Sequence, residues 1–341
     1  MAGGPSTPEL AIAVGRAGGL GFLAAGYKST PAVAAEIAAV RAATAAPFGV
    51  NLFVPGPPAA HADLVAAYGG RLEAEARRQG ARLGQPRQDD DEWEAKLDLV
   101  TRERVAVVSF TFGCPTHETI TRLHEGDIAV WVTVTNVREA AQARDARADA
   151  LVVQGSEAGG HRGGFNDAEG GGTGLIALLR LVARSVELPL VATGGIADGA
   201  AVAAVLCAGA SAAQVGTALM LAPEAGTPTA QRALLPEPIP TRLTRAFTGR
   251  LARGMVNRFM VEHDRAAPSG YPAIHHLTSP LRAAARARGD ADAFNLCDAF
   301  NLWAGEAHEL AQPQPAEAIV RRLGADARRV AAEVATRLQR P

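Results

Sequence analysis

At least five times along this chain a helix-like run ends in a small or acidic turn that feeds a short, almost wholly apolar strand, and few folds tolerate that rhythm. Arg16-Ala17-Gly18-Gly19 leads into 20–25, His124-Glu125-Gly126-Asp127 into 128–134, Arg147-Ala148-Asp149 into 150–153, and Ala208-Gly209-Ala210-Ser211 into 212–219. Segments 48–54, 105–112 and 188–193 bring the strand candidates to seven. Continuous apolar runs of this kind belong to parallel strands covered on both faces, not to half-solvated alternating ones. A doubly wound sheet and an eight-stranded barrel both meet the pattern. Polar and glycine residues gather at many strand ends, among them Asn51, Gln154, Gly194, Gly195, Gly216 and Thr217. A barrel brings such ends to one site, whereas a doubly wound sheet concentrates contacts at a single switch point. The expectation is an α/β fold of TIM (β/α)8 type, one strand short of eight.

The barrel is expected over 1–222. Within it, 55–104 reads as an insertion, proline-rich and then charged, forming helices on the outside. After Leu221 the rhythm stops, and 223–310 is expected to form a smaller, mostly helical cap. The remainder, 311–341, is expected to supply an amphipathic helix over 316–338 that packs back on the barrel. Residues 199–223 carry no charge and mimic a membrane span. Asp198 as a helix cap, a break at 208–211 and a buried strand from Gln214 explain them without lipid.

A formal charge of -1 gives no electrostatic reason to bind nucleic acid or an anionic membrane. The three cysteines, Cys114, Cys207 and Cys297, have neither disulfide nor zinc spacing, and Cys114 reads as a buried structural thiol. With no signal-peptide pattern at the start, a cytoplasmic location is expected.

The candidate chemistry centres on Gln154-Gly155-Ser156-Glu157-Ala158-Gly159-Gly160-His161-Arg162-Gly163-Gly164, a glycine-rich loop fed by a strand. Glycines let backbone approach a flat ligand, and an imidazole suits proton transfer at neutral pH. Glu157 either orients His161 or caps the loop backbone. Gly194-Gly195 and Gly216-Thr217 offer N–H groups and a hydroxyl where barrels hold phosphate. The amides Asn51, Gln154 and Gln214 suit a ligand edge that both donates and accepts. Arg245, Arg250, Arg253 and Arg258 divide between ion pairs and a clamp for a substrate carboxylate. Tyr271, His275 and His276 lie where the cap closes, and the two histidines lack the spacing of a metal site.

On several ordered blocks the sequence resembles bacterial class I nitronate monooxygenases, formerly called 2-nitropropane dioxygenases. The carriers are Met1-Ala2-Gly3-Gly4, 18–26, Val50-Asn51-Leu52-Phe53, 109–113, 154–163, 194–199 and 214–218, followed by 244–250 and Asn257-Arg258-Phe259. The resemblance implies an FMN-binding TIM barrel with a cap, in which Ala2, Asn51, Gln154, Gly155, Gly160, Gly194, Gly195, Gln214, Gly216 and Thr217 hold the flavin. It implies His161 as the catalytic residue, taking the α-proton of a nitroalkane or hydrogen-bonding the nitro oxygens of a nitronate. The products are then a carbonyl compound and nitrite, formed with O2, with propionate 3-nitronate and small alkyl nitronates as substrates and detoxification as the role. Relatives carry a further strand before the Met-Ala-Gly-Gly sequence, so the first barrel strand is expected to be absent. The sequence allows a homo-oligomer. The rivals are an NAD(P)H-dependent FMN quinone or enoyl reductase of the same fold, and a non-catalytic flavin-binding barrel. Gly19-Leu20-Gly21-Phe22-Leu23-Ala24 fits a dinucleotide motif only superficially, because its glycines precede or enter a strand and do not follow one.

Overall fold

The structure is a computed structural model that describes residues 1–56, 62–167, 172–289 and 298–339. Cys297 lies outside the described residues. Ten strands are described: β1 (Gly21–Ala24), β2 (Phe48–Phe53), β3 (Val107–Thr111), β4 (Ala129–Val134), β5 (Ala150–Gln154), β6 (Gly160–His161), β7 (Leu190–Thr193), β8 (Ala212–Gln214), β9 (Thr241–Thr244) and β10 (Ala252–Met255). The helices are α1 (Pro8–Arg16), α2 (Thr30–Ala43), α3 (Ala62–Arg78), α4 (Trp93–Arg102), α5 (His117–Glu125), α6 (Val137–Asp145), α7 (Leu175–Ala183), α8 (Gly199–Cys207), α9 (Thr229–Leu234), α10 (Arg258–His263), α11 (Ala273–Gly289) and α12 (Ala316–Leu338).

Seven strands form one parallel sheet in the order β1-β2-β3-β4-β5-β7-β8, with helices between successive strands. The strands are apolar on both faces because both are covered: Val50, Leu52, Val108, Phe110, Val130, Val132, Leu151 and Val153 are essentially sealed from solvent. β1 and β8 are the edges of this sheet. α12 packs on α8, which flanks β8, and on α1, which flanks β1, so one helix joins the supports of both edges. Leu10, Leu219, Ala222, Ile319 and Leu323 fill the space among them.

The uncharged stretch resolves as helix and strand. Asp198 caps α8 by accepting from the Ala201 N–H at 2.8 Å. The strand expected to run on to Leu219 stops at Gln214, and Thr217–Leu219 is instead a single 3-10 turn. Gly216, with φ -124° and ψ -74°, leaves β geometry between them. Among the described residues no helix is long and apolar enough to cross a membrane.

The expected outer helical layer over 55–104 is divided. α4 lies against β2 and α2, but α3 leaves the barrel and buries Val65, Tyr68, Leu72 and Ala76 in a second apolar cluster. There they meet Phe247, Phe259, Ile274, Leu277, Leu281 and Phe300. The charged residues that suggested full solvation cover only one face of α3. Its buried Glu75 is neutralised by Arg258 of α10 at 2.7 Å. Segment 223–310, expected to be mostly helical, also contributes β9 and β10. These form an antiparallel sheet with β6 in the order β6-β10-β9, and Ala252 pairs with His161. Four-residue strands between prolines and glycines carry too little periodicity to announce themselves.

Candidate active site

The loop that follows β5 is held at both ends. Gln154 donates through Nε2 to the His161 carbonyl at 3.1 Å and accepts the Gly163 N–H at 2.8 Å. Its amide is therefore spent on shaping the turn. Two of the loop's glycines are needed for packing against protein: a Cβ on Gly159 would lie 2.4 Å from the Gly305 nitrogen, and one on Gly163 would lie 2.6 Å from Thr133 Cγ2. Gly160 differs, with φ +74° and open space where a side chain would be. Glu157 takes the second of its two expected roles, accepting from the Leu175 N–H at the start of α7 at 2.9 Å.

His161 projects from β6 into a ring of aromatics: Trp303 at 5.6 Å, Phe112 at 5.8 Å and Tyr271 at 5.9 Å between centroids. Its Nε2 is 2.9 Å from the Thr248 hydroxyl. Tyr27 enters beyond the C-terminal end of β1, edge-on to Phe53 at the end of β2 and stacked on His275 at 4.3 Å. Two of these aromatics, Tyr27 with φ 69° and Phe112 with φ 77°, hold left-handed backbone. A bulky residue there costs on the order of 1–3 kcal/mol, and such strain gathers at functional sites.

Two buried guanidiniums, Arg250 and Arg282, act on the imidazole. Burial first, then the charge of Arg250, lowers the His161 pKa to about 3, so the imidazole is neutral across the physiological range. Burial pushes the Tyr27 phenol up to about 12 and raises Tyr271 further, keeping both protonated. Three of the four singled-out arginines have carboxylate partners: Arg245 with Asp167 at 3.0 Å, Arg253 with Glu306 at 2.9 Å, and Arg258 with Glu75. Arg250 has no salt bridge among the described residues. Its guanidinium donates to the Arg162 and Gly164 carbonyls and lies 4.0 Å over the Phe112 ring. Arg282 on α11 likewise lacks a carboxylate and is buried beside His275. His276 is engaged elsewhere, 3.1 Å from Asp89.

The remaining candidates sit around the strand ends. Asn51 on β2 donates to Ser109 and Thr111, at 2.9 Å and 3.0 Å to their hydroxyls, which leaves its carbonyl oxygen unspent. Gln214 closes β8 with a buried Oε1 that has no partner among the described residues. Gly194 and Gly195 follow β7 in left-handed backbone with φ +115° and +68°. Thr217 accepts the Gly305 N–H at 3.0 Å and keeps its own proton to donate. The sulfur of Met1 lies 3.3 Å from where a Gly216 side chain would begin, so the turn holding Ala2 borders that loop. Cys114 is half-buried, and burial raises its thiol to about 11, which suits a structural group. Tyr27, Trp303 and Arg282 lie in no candidate-site motif, and Phe112 and Thr248 lie within the blocks 109–113 and 244–250 without being singled out there. Scarcity was the available signal, since two of only three tyrosines in the chain meet here.

The sequence matches the family described as "Nitronate monooxygenase" over residues 1–326. A nitronate monooxygenase of Pseudomonas aeruginosa is 40% identical over 332 residues, covering 94% of this chain and 92% of that protein. One of Paraburkholderia phytofirmans is 38% identical over 335 residues, covering 94% and 88%. Among solved structures, the nitroalkane oxidase of Streptomyces ansochromogenes is 46% identical with a TM-score of 0.92, covering 99% of this chain and 96% of that one. FabK of Thermotoga maritima, at 24% identity and a TM-score of 0.76, shares the fold, covering 99% and 93%.

Proposed function

Since this chain belongs to the nitronate monooxygenase family, we propose that it oxidises alkyl nitronates with O2 to a carbonyl compound and nitrite on a bound FMN. The observation that carries this reading is a neutral His161 in an aromatic pocket flanked by two buried guanidiniums, Arg250 and Arg282, that have no carboxylate partner among the described residues. Such a pocket favours an anion of nitronate type over a neutral ligand. The neutral imidazole hydrogen-bonds the nitro oxygens.

With its proton affinity so depressed, the same imidazole is a poor acceptor toward an uncharged carbon acid. Preformed nitronates are therefore the better substrates, and nitroalkanes the slower ones. The seven-stranded sheet is the body of a barrel of TIM type, and the second apolar cluster serves as its cap.

The residues present fit a flavin. The orphaned Gln214 oxygen calls for an N–H donor, which the ring edge offers, and the free Asn51 oxygen is available for another. Gly160 leaves open space beside the ring. The peptide N–H groups that open the 217–219 turn, the Thr217 hydroxyl and the backbone at Gly194, Gly195 and Gly216 would hold the phosphate, with the Ala2 turn alongside and Gly155 and Gln154 supporting the loop. FMN, when bound, supplies the electron transfer and oxygen chemistry that no side chain provides.

The test is flavin release from the purified protein, followed by oxygen uptake with alkyl nitronates and with NADH. Stoichiometric FMN, uptake with nitronates and slow NADH oxidation are expected. His161→Ala should keep FMN and lose turnover of nitroalkanes, with a smaller loss for nitronates. Fast NADH oxidation without nitronate turnover would replace this reading with a reductase.

A further inference from the structure

His275, in the first turn of α11, is bonded on one side only. Arg282, two turns further along the helix, places Nη2 3.3 Å from His275 Nδ1 and 3.1 Å from the His275 carbonyl. A guanidinium can only donate, so Nδ1 must be the acceptor and the ring proton resides on Nε2. Arg282 is itself fixed by Thr278 Oγ1 at 3.0 Å and Asn301 Oδ1 at 3.1 Å. The ring plane is set independently, because it stacks on Tyr27 with an interplanar angle of 4° and meets the Tyr271 ring at 6.2 Å. Nε2–H has no hydrogen-bond partner among the described residues, and the side chain is only partly buried. His161 flanks the same Tyr271 ring at 5.9 Å. Two imidazoles thus border one phenol, and the second carries an oriented, unspent N–H.

We propose that His275 is a binding residue of this site, donating its Nε2–H to an anionic oxygen of the substrate, with Arg282 as the positioning residue that fixes the donor tautomer. This rests on the proposed nitronate chemistry. Arg282 acts twice: it denies the ring a proton at Nδ1, and its charge polarises the ring so that Nε2–H is the stronger donor. Burial, then the same guanidinium, holds the His275 pKa down to about 2, so the ring is a donor without becoming a cation. The oxygens of a nitronate and those of a carboxylate offer the same chemistry to this group.

Two measurements on the FMN-loaded, full-length protein test it. Histidine nitrogen NMR should show His275 as the neutral Nε2–H tautomer, and Arg282→Met should abolish that preference. A parent with His275 protonated, or with its proton on Nδ1, overturns the proposal whatever the enzyme turns over. Anaerobic binding of propyl 1-nitronate and propionate 3-nitronate should weaken about tenfold in His275→Phe, which keeps the stacking on Tyr27, and recover in large part in His275→Gln, which restores a donor. Loss with both ligands assigns the donor to the nitronate, and loss with the second alone assigns it to the carboxylate. Parent-like binding of both ligands by His275→Phe overturns the proposal. Tight nitronate binding without oxygen uptake defeats the proposed activity while leaving the donor assignment intact. Because Arg282 is buried, His275→Phe and His275→Gln keep the test decisive should Arg282→Met fold poorly.

Discussion

His161 Nε2 and Thr248 Oγ1 stand 2.9 Å apart, linking β6 to the turn that joins β9 and β10. Thr248 Oγ1 in turn accepts the Arg250 N–H at 3.4 Å, so the hydroxyl that steadies the imidazole is itself steadied by backbone and keeps its proton for Nε2. The ring orientation is therefore set by a residue 87 positions away in sequence.

Replacing that hydroxyl tests the link. Thr248→Val, nearly isosteric, should lower kcat with nitronates about fivefold to tenfold while KM changes less, since about 1 kcal/mol of hydrogen bond is lost. Thr248→Ser should retain most of the activity. Equal rates for Val and Ser would show that the contact only packs.

Acid should destabilise the fold through two imidazoles that stay neutral in the folded protein. An unfolded histidine takes a proton near 6.5, whereas folded His161 and His275 do so only at about 3 and about 2. Below about pH 6.5 the unfolded chain binds protons that the folded one refuses, so stability is full above that pH and falls on the way to about 3. Glu75 acts in the same direction: burial pushes its carboxyl up, but the hydrogen bonds from Arg258 and Gln79 together with the charges of Arg258 and Arg78 outweigh it, and the net shift is down. Thermal melts of His275→Phe should show a shallower fall of Tm between pH 6.5 and 4 than the parent. An unchanged slope would mean that the ring is already protonated in the folded protein.

Arg258 holds the buried Glu75 with two guanidinium nitrogens, at 2.7 Å and 3.0 Å. Arg258→Met should cost about 3 kcal/mol, because the carboxylate remains buried with only Arg78 and Gln79 to answer it. Urea unfolding measures this. A double variant with Glu75→Leu should recover much of the loss, and failure to recover would locate the cost elsewhere.

The glycine loop should distinguish two neighbours. Gly159→Ala drives a methyl into the 304–305 backbone and should cost about 1–3 kcal/mol, with reduced nitronate turnover as the loop shifts. Gly160→Ala meets nothing and carries only the left-handed strain, about 1 kcal/mol. Comparable Tm values for the two variants would contradict the packing described for Gly159.

The parallel sheet was legible because each strand is an uninterrupted apolar run between helices, and burial on both faces leaves that mark directly in composition. His161 was legible for the opposite reason, as the one imidazole in a glycine-rich loop. The end of β8 was not: Gly216-Thr217-Ala218-Leu219 is as apolar as a strand, and only its backbone angles turn it into a 3-10 turn. Nor could α3 be assigned to the second cluster, since charge along a helix shows that one face is wet and says nothing of what the other face meets. The pairings of His161 with Thr248 and of Arg250 with the carbonyls of Arg162 and Gly164 depend on contacts across more than eighty residues, which no local pattern encodes.

The strand that bears His161 is registered on β10, while the His161 carbonyl and the Gly163 N–H that follows it are tied to the parallel sheet through Gln154. Whatever shifts β9 and β10 therefore shifts the imidazole as well. On the role proposed for His161, a change of preferred substrate made through that sheet should arrive with a change of speed.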